Sequence, residues 1–202
     1  EIEARGEPVA RPIEYDRDKV LDKAMQAFWE QGYCATSMST LVETTDLKPG
    51  SLYAAFDSKQ GLFLATLDRY GTRSAEKLRA QLEGADSPLD AIDTYFDQLA
   101  EDIEKKRGKT SCFLVNTVLE LSQRDARVRK RINRHFEDIQ SAFVCALERA
   151  RAQGELDARA DCEALAGFLI NNIWGLRVLA GTKPASGRAR QVVELVKQVL
   201  RT

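Results

Sequence analysis

Apolar residues recur at steps of three and four through almost the whole chain, and no run alternates apolar and polar residues between hairpin turns. That repeat predicts an all-α protein of about nine helices. Asp16 is placed to cap a first helix with an inward face of Val20, Leu21, Ala24, Met25 and Phe28, and Gly32 stops it where a C-terminal glycine belongs. Ser37 is placed to cap a short second helix, Met38 to Thr45. Asp46-Leu47-Lys48 then makes a tight connection into a third, Pro49 to Phe56, whose proline falls in the first turn, where a missing N–H costs nothing. Ser58 opens a much longer helix, about 59–83, with Leu62, Phe63, Thr66, Leu67 and Tyr70 inward.

Gly84 to Pro88 breaks the pattern before a fifth helix, about 88–106, that carries Ile92, Tyr95, Phe96, Leu99 and Ile103. Further helices are predicted over about 111–122, 125–153, 161–180 and 187–201. Residues 1–14, with Gly6, Pro8 and Pro12 and no periodicity, read as a flexible arm. The change from short helices to long ones divides the remainder into a small unit, 15–57, and a larger one, 58–202.

Composition narrows the function classes. The chain has 202 residues, 44% apolar and 30% charged, which argues against disordered, collagen-like or disulfide-scaffold proteins. Thirty Lys and Arg against 31 Asp and Glu give a net charge of −1, so a nucleic-acid or membrane partner has to be argued from a site. Cys34, Cys112, Cys145 and Cys162 are too far apart for a zinc or dithiol motif and read as reduced thiols of a cytoplasmic protein. Glu1 to Arg17 lacks the apolar core of a secretory signal. The apolar stretch 164–179, interrupted by Asn171, Asn172 and Arg177, is too short for a bilayer and suits a buried or interface helix. Without a glycine-rich phosphate loop, a metal-ligand set or a nucleophile–base pair, the sequence predicts neither an enzyme nor a cofactor or metal.

Two short helices joined by a tight turn after a longer one have the layout of a helix-turn-helix unit, whose second member enters the DNA major groove. The wording from Gly32 to Phe63 adds specificity: Gly32-Tyr33, Thr36-Ser37, Gly50-Ser51-Leu52-Tyr53, Phe56, Ser58-Lys59 and Leu62-Phe63. This run closely resembles the DNA-binding domain of TetR-family transcriptional regulators. The resemblance implies a ligand-responsive repressor that binds a palindromic double-stranded operator as a homodimer and is released by a small-molecule inducer.

The DNA-binding residues expected from the match are Arg11 of the arm, Thr36, Ser37, Lys48, Pro49, Gly50, Ser51, Tyr53, Ala54 and Lys59. Thr36 and Ser37 open the second helix, where free N–H groups and hydroxyls favour a phosphate. Gly50 and Ser51 keep the third helix small enough to approach base edges, and Lys48, Tyr53 and Lys59 are placed to hold phosphates. Lys48 departs from the family's usual Ser or Thr and has no acceptor with which to cap the third helix. Residues 1–70 also carry 8 Lys and Arg against 12 Asp and Glu, a net of −4, so DNA affinity must come from local placement.

In the larger unit, Leu165, Leu169, Asn172, Leu176 and Leu179 of the eighth helix and Val192, Val196 and Val199 of the ninth are the expected dimer stripe. Tyr95, Phe96, Cys112, Phe113, Asn116, Thr117, Phe143 and Trp174 are the expected lining of an inducer cavity. Cys112 is expected in the first turn of the sixth helix, where the dipole and nearby basic residues favour a thiolate. The segment Ser111 to Asn116 is similar to one in a NemR-like subgroup of the family, which implies electrophile or redox sensing as an alternative use of the same scaffold. His135, set among arginines, reads as part of a solvated face.

Overall fold

The computed structural model describes residues 15–106, 112–182 and 187–201. The expected arm, with Arg5 and Arg11, and the basic run before Cys112 lie outside the described residues. Among the described residues there are nine helices and no strands: α1 (Arg17–Gln31), α2 (Met38–Thr45), α3 (Pro49–Phe56), α4 (Lys59–Glu83), α5 (Pro88–Lys106), α6 (Phe113–Leu121), α7 (Ala126–Ala152), α8 (Cys162–Ala180) and α9 (Arg188–Leu200). The starts follow from side-chain acceptors on extended residues. Asp16, Ser37, Ser58, Asp125 and Asp161 each take backbone N–H groups of the turn that follows. Because a capping residue stands outside its helix, α7 and α8 begin one residue later than expected. Gly32, at φ 82°, ends α1 in a backbone conformation that a side chain rarely adopts.

Two apolar cores organise the chain. The first joins Leu21 and Phe28 of α1, Leu41 of α2, Leu52 and Phe56 of α3 and Phe63 of α4 to Phe113 of α6 and Ile132 of α7. Burying Leu52 and Phe56 contributes about 1.5–3 kcal/mol each to docking the two-turn α3, which has little stability alone. The second gathers Leu82 of α4, Phe96 of α5, Phe143 and Leu147 of α7, Leu169 of α8 and Val196 of α9. Only α4 and α7 supply buried residues to both cores, so these two long helices connect the small unit to the large one.

Where α4 crosses α7, a Cβ on Gly71 would sit 2.2 Å from the His135 ring. His135 is therefore not on a solvated face: it is 1% exposed, with Nε2 3.2 Å from Asp68 Oδ1. Arg131 and Arg134 bind the same Asp68 carboxylate. The helical repeat turns the intervening arginines outward and the histidine inward.

The expected dimer stripe also needs correction. Leu169, Leu176 and Val196 are buried in the second core, and Leu165, Leu179 and Val192 pack on its edge. Asn172 is half-buried, its amide donating to the Phe168 carbonyl at 2.9 Å. Of that set Leu165, Leu179 and Val192 keep a half-buried edge and Val199 is exposed, as are Val178 (47% exposed) and Leu195 (61%). The i, i+4, i+7 leucines of α8 satisfy the monomer's own core first. Val178 of α8 and Leu195 and Val199 of α9 are left outward.

Candidate nucleic-acid interface

The α2–α3 pair presents one exposed edge. Ser37 accepts the Thr40 N–H at 3.0 Å, and its hydroxyl lies 2.7 Å from that of Ser39 and 2.8 Å from that of Thr40. Across the turn, Asp46 adopts the left-handed conformation, φ 58°, which lets the chain reverse within three residues. Lys48 stands at the N-cap of α3 with extended backbone and no side-chain cap, as its lack of an acceptor requires. Lys48, Pro49, Gly50, Tyr53 and Ala54 are exposed and Ser51 is half-buried, while Leu52 and Phe56 face the core. Nothing lies within 4 Å of a Cβ built on Gly50, so the ground in front of α3 is open.

Two expected contacts are placed differently. Thr36 is 0% exposed, and its hydroxyl donates to the carbonyl of Gly32 at 2.6 Å, so it braces the α1–α2 turn and cannot reach a phosphate. Lys59 is half-buried, with Nζ 4.4 Å from the centre of the Tyr33 ring. That cation–π contact holds its charge near Cys34 and Glu120, beside the turn that follows α1. Ser39 and Thr40 were missed, although the run Thr36-Ser37-Met38-Ser39-Thr40 is rich enough in hydroxyls to have shown them.

The acidic balance of the small unit has a structural outlet. Arg69 of α4 takes both Asp22 oxygens, at 2.7 and 2.9 Å, and Asp18 at 2.7 Å, while Arg73 adds a bond to Asp22 at 2.8 Å. The Arg69 guanidinium holds the Asp22 carboxyl below its ordinary range. Asp46 is paired with Lys23 at 2.5 Å. Asp18 and Asp22 of α1 are thus engaged by α4.

Residues 20–66 match the family model for bacterial regulatory proteins of the tetR family, and residues 88–193 match that for a tetracyclin repressor-like C-terminal domain. The chain is 38% identical over 174 residues, 84% of its length and 81% of the relative's, to the HTH-type transcriptional repressor ComR of Escherichia coli (strain K12). The chain belongs to the TetR family. It is a helix-turn-helix transcriptional regulator and not an enzyme. A cysteine-substituted form of the TetR-family regulator CifR, complexed with 26-bp double-strand operator DNA, superposes with a TM-score of 0.82 at 30% identity, covering 95% of this chain and all of that one. The reduced form of E. coli NemR shares the fold, with a TM-score of 0.82 at 22% identity over 90% of this chain and 95% of that one.

The expected inducer residues of this TetR-family chain do not converge on one space. Phe96 and Phe143 are fully buried in the second core. Phe113 belongs to the first, its ring 5.9 Å from that of Phe63 and 5.7 Å from that of Tyr70. The buried Thr117 hydroxyl donates to the Phe113 carbonyl at 2.8 Å. Trp174 stacks on Phe136 with centroids 4.0 Å apart, and Asn116 is half-buried. Cys112 is the N-cap residue of α6 and lies outside its first turn; the Tyr70 hydroxyl donates to its Sγ at 3.5 Å. Of the expected set Tyr95 lines a cavity between α4 and α5.

Proposed function

We propose that the protein is a homodimeric repressor that places α3 of each subunit in successive major grooves of a palindromic operator and leaves it when a small molecule binds the large unit. The open, exposed edge from Lys48 to Ala54, backed by Leu52 and Phe56, carries this reading. Lys48 and the hydroxyls at the start of α2 grip phosphates, while Ser51, Gly50 and Ala54 meet base edges. Tyr53, at 48% exposure, adds a hydroxyl to the phosphate contacts. The operator-bound form of CifR, 30% identical to this chain, supports the docking mode.

The dimer forms through the outward residues of α8 and α9. Val178, Leu195 and Val199 supply apolar surface, and a groove of about 600 Å³ beside Leu156, Phe168 and Val199 can receive the partner's side chains. As a regulator of genes, the protein acts in the cytoplasm, in keeping with its unpaired cysteines. A gel shift with DNA from upstream of its own gene, run at two salt concentrations with and without nonspecific competitor, tests the reading. A competitor-resistant shift that weakens steeply with salt is expected; its absence at low salt overturns the proposal.

A second reading, sensing through Cys112, is favoured by the contact of the Tyr70 hydroxyl with its sulfur between the two cores. If a Cys112→Ser variant releases DNA normally with an electrophile such as N-ethylmaleimide, that reading is discarded.

A further inference from the structure

Arg177 of α8 is turned toward the interior of the large unit rather than toward solvent. It is half-buried, and its electrostatic neighbours are the hydroxyls of Tyr95 on α5 and Tyr70 on α4 and the thiol of Cys112. Among the described residues it forms no ion pair with a carboxylate. A guanidinium taken out of water without a counter-charge is costly, and phenols are weak compensation. Burial pushes both tyrosines above their ordinary pKa, so both remain neutral at physiological pH and supply no negative charge.

Arg177 and Tyr95 back onto a cavity of about 180 Å³ between α4 and α5. Gln81 lines the same cavity, and its side-chain nitrogen is buried with no hydrogen-bond partner. One charged donor, whose acceptor is the neutral Tyr95 hydroxyl, and one neutral donor with no acceptor therefore border a single space. Leu78 and Leu99 give that space an apolar wall, and Lys77 adds positive charge at its edge. Asp102 also borders it, at an exposed position, and already has a partner. The planar fork of a guanidinium matches the two oxygens of a carboxylate, and an amide N–H can complete the set.

We propose that this cavity binds a small organic carboxylate, held by Arg177 and Gln81 with its apolar body against Leu78 and Leu99, and that such an acid is the inducer; the last step rests on the regulator reading above. At about 30 Å³ per water the space is worth roughly six waters, which suits an acid the size of hexanoate or benzoate and not a long-chain one. The site adjoins α4, which runs from the small unit into the large one. An acid that binds better when α4 and α5 are further apart draws the protein toward that state and shifts the reading heads.

Calorimetric titration of the full-length chain with benzoate and hexanoate, and with the neutral benzamide and hexanamide, tests the site. The acids are expected to bind at least about tenfold more tightly than their amides. Arg177→Gln should remove that preference, so that acids bind no more tightly than their amides. Gln81→Leu, which deletes an unsatisfied buried donor and so should fold, weakens acid binding about three- to tenfold. Failure of both acids to bind, equal binding of acids and amides, or wild-type acid affinity in both variants overturns the site. Gel shifts with the same compounds separate the two claims. Acids that bind but leave operator affinity unchanged overturn the inducer assignment alone, whereas absence of any DNA binding overturns the regulator reading while the calorimetry still judges the cavity.

Discussion

Lys48 occupies a position that would ordinarily cap α3, and it has no acceptor with which to do so. In the proposed docking mode its exposed ammonium offers a phosphate a full charge, which a hydroxyl spent on its own helix does not. Lys48→Ala should weaken binding to specific and random DNA alike and lower the slope of log affinity against log salt by about 1, as measured by fluorescence anisotropy across a salt series. His135 makes the opposite kind of prediction, one about stability. Burial, reinforced by Arg134 and Arg131 and opposed by Asp138, holds its pKa below the ordinary value. The unfolded chain therefore takes up a proton first as pH falls through about 6.5. The stability contributed by the neutral ring is complete above that pH and declines below it. Thermal melts from pH 7.5 to 5.5 should show a loss that His135→Leu largely removes.

Among the elements, α6 connects the two functional regions. Its N-cap is Cys112, near Arg177, and its last turn carries Glu120, whose carboxylate accepts the N–H groups of Tyr33 at 3.0 Å and Cys34 at 2.8 Å. Burial pushes this carboxyl up, but the two donated hydrogen bonds outweigh it and keep the group below its ordinary pKa. Glu120 thus holds the strained turn after Gly32 that leads into α2. Replacing it with Gln leaves one acceptor for two donors; a loss of about 1–3 kcal/mol in chemical denaturation, with weaker operator binding, is the expected outcome. The α4–α7 crossing is equally specific. Because a Cβ at Gly71 would overlap the His135 ring, Gly71→Ala should cost about 1–3 kcal/mol through overpacking, read from the shift of the urea midpoint.

For the assembled molecule, the outward residues of α8 and α9 decide whether two reading heads can act together. Leu195→Glu places a charge on a side chain that the monomer does not bury, so the fold should survive while the dimer dissociates. Light scattering should report a monomer, and operator affinity should fall toward nonspecific values because one half-site is then bound at a time. Leu169→Glu, on the α8 stripe predicted from sequence, should instead unfold the chain, since that residue is fully buried.

The sequence by itself determined where the helices begin and end, because capping, proline placement and apolar period act over a few neighbours: α2 through α5 follow the bounds read from Ser37, Pro49, Ser58 and Pro88. It also carried the reading head, since Lys48, Gly50 and Tyr53 are exposed by the geometry of one short helix. Tertiary structure decided which face of each long helix goes inward. An apolar stripe on α8 suits a core and an interface equally well, and only the packing of α5, α7 and α9 against it assigned Leu169 to the core and left Val178 exposed. The same packing turned Thr36 and His135 inward and brought Arg177, Gln81 and Tyr95, from three separate helices, around one cavity. No local pattern encodes such a meeting, because it depends on the angles at which distant segments cross.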